Sequence, residues 1–266
     1  MSPAPIDPSL TKPTKRQRLL VAGNWKMHGD PQMLEAFCQD LSGVAYRDTE
    51  VVLFPPALFI PQAVRALEAV GNVNVGIQNV HWRTSGAFTG EIAAGMAAQS
   101  GCRHALVGHS ERRLLHAEDD DTTRRKFEAV RKAGMTPILC IGETREERMA
   151  GRSKAVTERQ LSAILAAVNV ADGDFIVAYE PVWAIGTKVT PQAEEIAAMH
   201  EMISTLLDSR TPGLGSRIRI LYGGSVTDAN ATRILAIPRV DGVLVGGACL
   251  NSRTFLNIIA SAEDYL

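Results

Sequence analysis

Short runs of apolar and β-branched residues recur along the chain at 19–24, 50–54, 73–78, 104–108, 136–141, 175–179, 218–222 and 241–245. Most are continuously apolar rather than alternating, as strands of a parallel sheet covered on both faces are. Helical periodicity fills the gaps. The segment 31–46 follows Asp30, a good N-cap, and has Pro31 at the first helical position. Segment 152–168 places Val156, Leu161, Ile164, Leu165 and Val168 near one stripe, and 191–207 does so with Ile196, Met199, Ile203, Leu206 and Leu207. Eight strands alternating with helices predict an α/β chain closed into a (β/α)8 barrel. An open doubly wound sheet, the competing arrangement, usually carries a glycine-rich turn after its first strand. Here the first strand runs into Gly23-Asn24-Trp25-Lys26 instead.

A length of 266 residues suits a single barrel. Residues 1–18 carry four prolines and a basic end without the apolar core of a secretory signal, and are expected to form a flexible extension before a catalytic domain at 19–266. With 45% hydrophobic and 21% charged residues the chain reads as globular, and a net charge of -1 gives no electrostatic case for a nucleic-acid or membrane surface. The basic run Arg124-Arg125-Lys126 sits among acids and reads as a solvated helix face. Cys38, Cys102, Cys140 and Cys249 are scattered without a CxxC pair, so neither a disulfide framework nor a zinc site is expected. No apolar stretch approaches the ~20 residues of a membrane span, and a cytoplasmic location is expected.

The polar residues at the predicted strand ends are Asn24 and Lys26, Gln78, His109, Glu180, Ser225 and Gly246-Gly247. In a barrel these ends converge on one face. The stretch 175–190, FIVAYEPVWAIGTKVT, is the most informative. Glu180 ends a buried run, Pro181 stiffens the entry to the next loop, and Gly186 supplies a tip. A carboxylate so placed reads as a base beneath a closing loop, with Trp183 and Ile185 as an apolar wall that raises its basicity.

The motifs Gly23-Asn24-Trp25-Lys26, Gly108-His109-Ser110-Glu111-Arg112-Arg113, Glu180-Pro181-Val182-Trp183, Tyr222-Gly223-Gly224-Ser225 and Val245-Gly246-Gly247-Ala248 occur in this order. Each is weak alone; together they closely resemble the triosephosphate isomerase family, from about Leu19 to the C-terminus. The resemblance implies interconversion of D-glyceraldehyde 3-phosphate and dihydroxyacetone phosphate through an enediol(ate), with no metal or organic cofactor. It implies Glu180 as base and His109 as a neutral electrophile at a helix start. Lys26 and Asn24 would contact substrate, and Glu111 would either anchor Lys26 or relay protons. Gly186, Ser225, Gly246 and Gly247 would grip the phosphate through neutral donors.

The loop Gly86-Ala87-Phe88-Thr89-Gly90-Glu91 resembles the family's intersubunit loop and implies a homodimer, with Thr89 bracing the neighbour's Asn24 and Lys26. Cys140 is expected to pack rather than react, and Arg112 to pair with Glu118. Two departures stand out. Lys188 occupies a place where the family often has glycine. Pro191 lies near the lid exit, where it offers no N–H to a latch from Tyr222, so a different or weaker latch is expected. An isomerase of a longer sugar phosphate, such as a tetrulose phosphate, is the alternative function. A silent phosphate-binding scaffold is a third, disfavoured by the presence of Asn24, Lys26, His109 and Glu180 together.

Overall fold

A computed structural model of the chain describes residues 18–166, 174–187 and 190–264. Eight parallel strands close into a barrel in sequence order: β1 (Leu19–Asn24), β2 (Thr49–Phe54), β3 (Val73–Ile77), β4 (His104–Val107), β5 (Thr136–Ile141), β6 (Ile176–Tyr179), β7 (Ile220–Tyr222) and β8 (Gly242–Val245). β8 pairs with β1 from Leu20↔Gly242 to Gly23↔Val245, which closes the ring. All eight predicted strands are present, and the (β/α)8 fold stands.

Helices separate the strands: α1 (Pro31–Ser42), α2 (Ile60–Leu67), α3 (Ala94–Gln99), α4 (Ser110–Leu115), α5 (Asp120–Lys132), α6 (Arg145–Met149), α7 (Ser153–Leu165), α8 (Ala193–Arg210), α9 (Leu214–Arg217), α10 (Ala231–Leu235) and α11 (Ser252–Glu263). Asp30 caps α1 as expected, its Oδ1 accepting from Met33 N at 2.8 Å. The helix stops at Ser42 rather than running to 46. Gly43 is its C-cap, and Tyr46 folds back so that its hydroxyl donates to Leu41 O. α8 begins at Ala193, with Gln192 and Glu195 forming a capping box, so Pro191 lies outside it. Val168 and all of the expected extension except Arg18 lie outside the described residues.

Strand side chains divide by parity. Leu20, Ala22, Val52, Phe54, Leu106, Ile138, Cys140, Ile176, Ala178, Leu221 and Leu244 fill the barrel interior. Their neighbours Leu19, Val21, Val51, Leu53, Val177 and Val245 join the larger core between sheet and helices. The interior is therefore packed solid, and chemistry is confined to the ends where the apolar plug stops.

Candidate active site

Inward parity sets the site. Ile176 and Ala178 point into the barrel, and two residues further on, past the end of β6, Glu180 continues the same row. The residue is only 2% exposed. Two glycines make the seat. A Cβ on Gly142 would lie 1.8 Å from Glu180 O, and one on Gly223 would lie 2.9 Å from Glu180 Cγ. Ser110 N donates to Glu180 Oε2 at 3.0 Å, and Oε1 lies 3.1 Å from His109 Nε2.

His109 is the N-cap of α4. Its Nδ1 accepts from Glu111 N at 3.2 Å. A ring nitrogen that accepts carries no proton, so this bond assigns the hydrogen to Nε2, the atom facing Glu180. Glu111 Oε2 lies 3.9 Å from Nδ1, too far for a competing bond.

Lys26 is held in the left-handed region, with φ of 55°, at a cost of about 1–2 kcal/mol for a non-glycine residue. Three bonds impose it. Asn24 Oδ1 accepts from Lys26 N at 2.9 Å, and Gln78 Nε2 donates to both Lys26 O (2.8 Å) and Phe54 O (2.9 Å). With its Oδ1 committed to Lys26, Asn24 has only its NH2 to offer a ligand. Lys26 Nζ then reaches Glu111 Oε1 at 2.6 Å. Partial burial pushes the Glu111 carboxyl up, but the hydrogen bond and charge of Lys26 outweigh it and hold the group below its ordinary value. The geometry is that of an anchor.

Asn24, Lys26, His109 and Glu180 share a cavity of about 280 Å³ with Gly186, Ser225, Gly246 and Gly247. Every site residue expected from sequence except Glu111 lines it, and Glu111 touches it through Lys26. Gly247–Leu250 forms a short 3-10 turn directly after Gly246. Another cavity of about 240 Å³ lies behind Glu180, beside Arg113, Asp120, Cys140 and Gln160. Its guanidiniums, Arg113 and Arg159, are both paired with Asp120, and Glu118, Asp119 and Glu147 line it as well, so the first cavity is the one equipped for an anion. Burial raises the Cys140 thiol well above its usual range, and the nearby Glu180 charge adds to this, consistent with packing.

The lid differs in part from expectation. Ile185 lines the cavity, but Trp183 does not. Its indole N–H donates to Glu143 Oε1 at 2.8 Å, outside the wall assigned to it. Buried Glu143 also accepts from Tyr179 Oη at 3.1 and 3.2 Å, so the carboxylate attracts the indole away from Glu180. Ser225 Oγ donates to Thr187 O at 2.9 Å and thus ties the lid. Tyr222 Oη is buried with no hydrogen-bond partner among the described residues. Pro191 is buried, and Lys188 lies outside the described residues. Arg112 and Glu118 pair at 2.7 Å as expected, and Glu118 also accepts from Lys126, which reaches Asn79 Oδ1 at 2.7 Å.

Gln78 and Glu143 were missed as site residues. Gln78 was visible as a polar strand end, but its partners are main-chain oxygens far away in sequence. Glu143 stands two residues past Ile141 at the end of β5, on the outward row and separated from the apolar run by Gly142, a weaker signal than the abrupt break at Glu180.

The sequence model of the family described as triosephosphate isomerase matches residues 19–262. The triosephosphate isomerase of Pseudomonas entomophila (strain L48) is 43% identical over 251 residues, covering 93% of this chain and 100% of that protein. That of Dechloromonas aromatica (strain RCB) is 44% identical over 249 residues, with the same coverage. That of Alcanivorax borkumensis is 44% identical over 245 residues, covering 92% of this chain and 98% of its own. Match and geometry agree, and the chain belongs to the triosephosphate isomerase family of aldose–ketose isomerases.

Proposed function

We propose that this chain interconverts D-glyceraldehyde 3-phosphate and dihydroxyacetone phosphate through an enediolate, serving glycolysis and gluconeogenesis. Glu180 takes a proton from the carbon beside the carbonyl and returns it to the neighbouring carbon. His109 donates from Nε2 to the substrate oxygens as charge develops on them. The observation that carries this reading is the 3.1 Å contact between Glu180 Oε1 and His109 Nε2. Base and electrophile face each other over one cavity, and a substrate entering between them would take up both groups. Lys26, fixed by Glu111, supplies positive charge. Asn24 offers its amide N–H, and Gly186, Ser225, Gly246 and Gly247 receive the phosphate. Binding there acts at the reacting carbon by drawing the lid down.

A coupled assay of triose phosphate isomerisation with wild type and Glu180→Gln tests this. Turnover of both trioses by the wild type, and a loss of about three decades in kcat for the variant, is expected. A variant within tenfold of wild type would remove Glu180 as base. The cavity of about 280 Å³, bounded by Ile185 and Leu244, is at the small end for ligand sites and favours a triose over a tetrulose phosphate. A substrate panel separates the two.

We also propose a homodimer through the Gly86-Glu91 loop. Exposed apolar side chains cluster in the loops and helices after four adjacent strands: Met27 after β1, Leu58 after β2, Phe88 after β3, and Leu114 and Leu115 after β4. Phe88 is 42% exposed although it packs against His81, the ring centroids 4.3 Å apart and the planes tilted by 34°. Such a band is costly to leave in water, and a second copy of the chain is the partner proposed for it. Residues 19–266 are proposed as one catalytic domain, in the cytoplasm. No helix among the described residues is long and apolar enough to cross a membrane.

A further inference from the structure

The lid between Glu180 and α8 is held at its two ends by side chains that reach one another. At the entrance, Trp183 Nε1 donates to Glu143. The guanidinium of Arg148, at the end of α6, lies 3.9 Å over the Trp183 ring. The same guanidinium donates from Nη2 to Glu195 Oε1 at 2.5 Å. At the exit, Glu195 Oε2 accepts from the backbone N–H of Gln192 at 2.9 Å. Hydrogen bonds from Arg148 and from Gln192 hold the Glu195 carboxyl below its usual range. None of Arg148, Trp183 and Glu195 lines the substrate cavity.

We propose that Arg148 and Glu195 are positioning residues that couple the two ends of the lid, so that entrance and exit move as one switch. Each oxygen of Glu195 has one task, one toward Gln192 and the other toward Arg148. Arg148 uses its face on the indole and its edge on the carboxylate, a division that a planar guanidinium allows and an ammonium does not. α6 is itself fixed by the Thr144–Glu147 capping box, so the bridge is referred to a rigid element outside the lid. Glu180 is turned onto Ser110 N in this arrangement. The bridge therefore stabilises the lid arrangement seen here, and its loss shifts the equilibrium away from it. The inference rests on the proposed function only in treating the segment after Glu180 as a lid.

The test uses full-length protein labelled with 5-fluorotryptophan. The chain has three tryptophans, and Trp183→Phe assigns the lid resonance. Fluorine spectra are recorded with and without inorganic phosphate for wild type, Arg148→Met, Arg148→Lys, Glu195→Gln and the Arg148→Met/Glu195→Gln pair. Arg148→Met is expected to shift the population reported by Trp183 by about two- to fivefold, the scale of one exposed cation–π contact. Arg148→Lys should match it, because lysine keeps the ion pair but loses the stack. Glu195→Gln should shift it in the same direction, and the double variant should go no further than the singles. In kinetics, kcat and KM should move in the same sense with kcat/KM within about twofold. An unmoved Trp183 resonance, restoration by lysine, or additive effects would each overturn the coupling. A wild type inactive on triose phosphates would overturn the substrate reading and leave the spectra to decide this one.

Discussion

Gly223→Ala is a small change whose effect can be worked out from the seat of Glu180. The φ of Gly223 is not in the left-handed region, so the backbone admits alanine and only space is at issue. The new Cβ would lie 2.9 Å from Glu180 Cγ and 3.3 Å from Tyr179 O. The strands cannot slide apart freely, because Gly223 N donates to Tyr179 O at 2.8 Å. The side chain of Glu180 must therefore give way by roughly 0.5–1 Å to restore ordinary contact. A displacement of about 1 Å at a reacting group costs on the order of a hundredfold, or about 2.7 kcal/mol of barrier. The expected result is a kcat lower by about 10- to 100-fold with KM within about threefold. Gly247→Ala is the control. Its Cβ meets no protein atom within 4 Å and lies in the turn proposed to receive the phosphate, so it should raise KM more than it lowers kcat. Steady-state kinetics in the coupled assay, with circular dichroism to verify folding, decides. A folded Gly223→Ala enzyme with kcat within twofold of wild type would refute the reasoning.

Tyr222→Phe should leave kcat/KM within about threefold and the melting temperature unchanged or higher, because it removes a buried hydroxyl with no partner among the described residues; a collapse of turnover would restore a latch role. Phe88→Asp should yield monomer by analytical ultracentrifugation and lose most activity, and an intact, active dimer would exclude the Gly86-Glu91 loop as its core. Acid should destabilise the fold through two histidines. Burial lowers His104, which faces Glu50 and Arg219, from 6.5 to about 4, and lowers His200, whose Nδ1 meets Arg239 O, to about 4 as well. Both are neutral when folded, and the unfolded chain binds the extra protons below pH 6.5. Their contribution is therefore complete above that pH and lost as pH falls toward 4, by roughly 3 kcal/mol each. Urea titrations of wild type and His200→Asn at fixed protein concentration should show a shallower acid decline in the variant.

The strands were legible because a barrel wall buried on both faces has few polar positions, and those it has, such as Glu50, Asn74, His104 and Thr136, lie at or near the strand starts. Glu180 was legible because it breaks such a wall abruptly. The α1 boundary was misplaced because Leu41 and Tyr46 are both core residues, and the apolar pattern continues after Gly43 has turned the chain. Trp183 was misassigned for a different reason. Sequence places it on the lid but is silent about Glu143, which lies forty positions earlier and captures its N–H. The left-handed backbone at Lys26 has only one local signal, the Asn24 side chain two residues earlier, since lysine does not favour it. The rest is imposed by Gln78, from the end of the strand two places around the barrel.

One rule connects core and site. Leu20 and Ala22 precede Asn24, Ile176 and Ala178 precede Glu180, and Leu244 precedes Gly246, each at the same two-residue step. The alternation that fills the barrel thus aims the next inward residue of these strands at the cavity. Polarity is admitted there because the apolar plug has ended. A one-residue deletion within Ile176–Tyr179 would invert this parity, carry Glu180 to the helix side and bring Pro181 inward. The carboxylate would then take the place of Tyr179 in the packed layer under the helices, beside the buried carboxylate of Glu143. Such a deletion should therefore damage stability and activity together, whereas Glu180→Gln separates them. The site is tied to register as much as to residue type, which is why the position of Glu180 in its run carried more information than the glutamate alone.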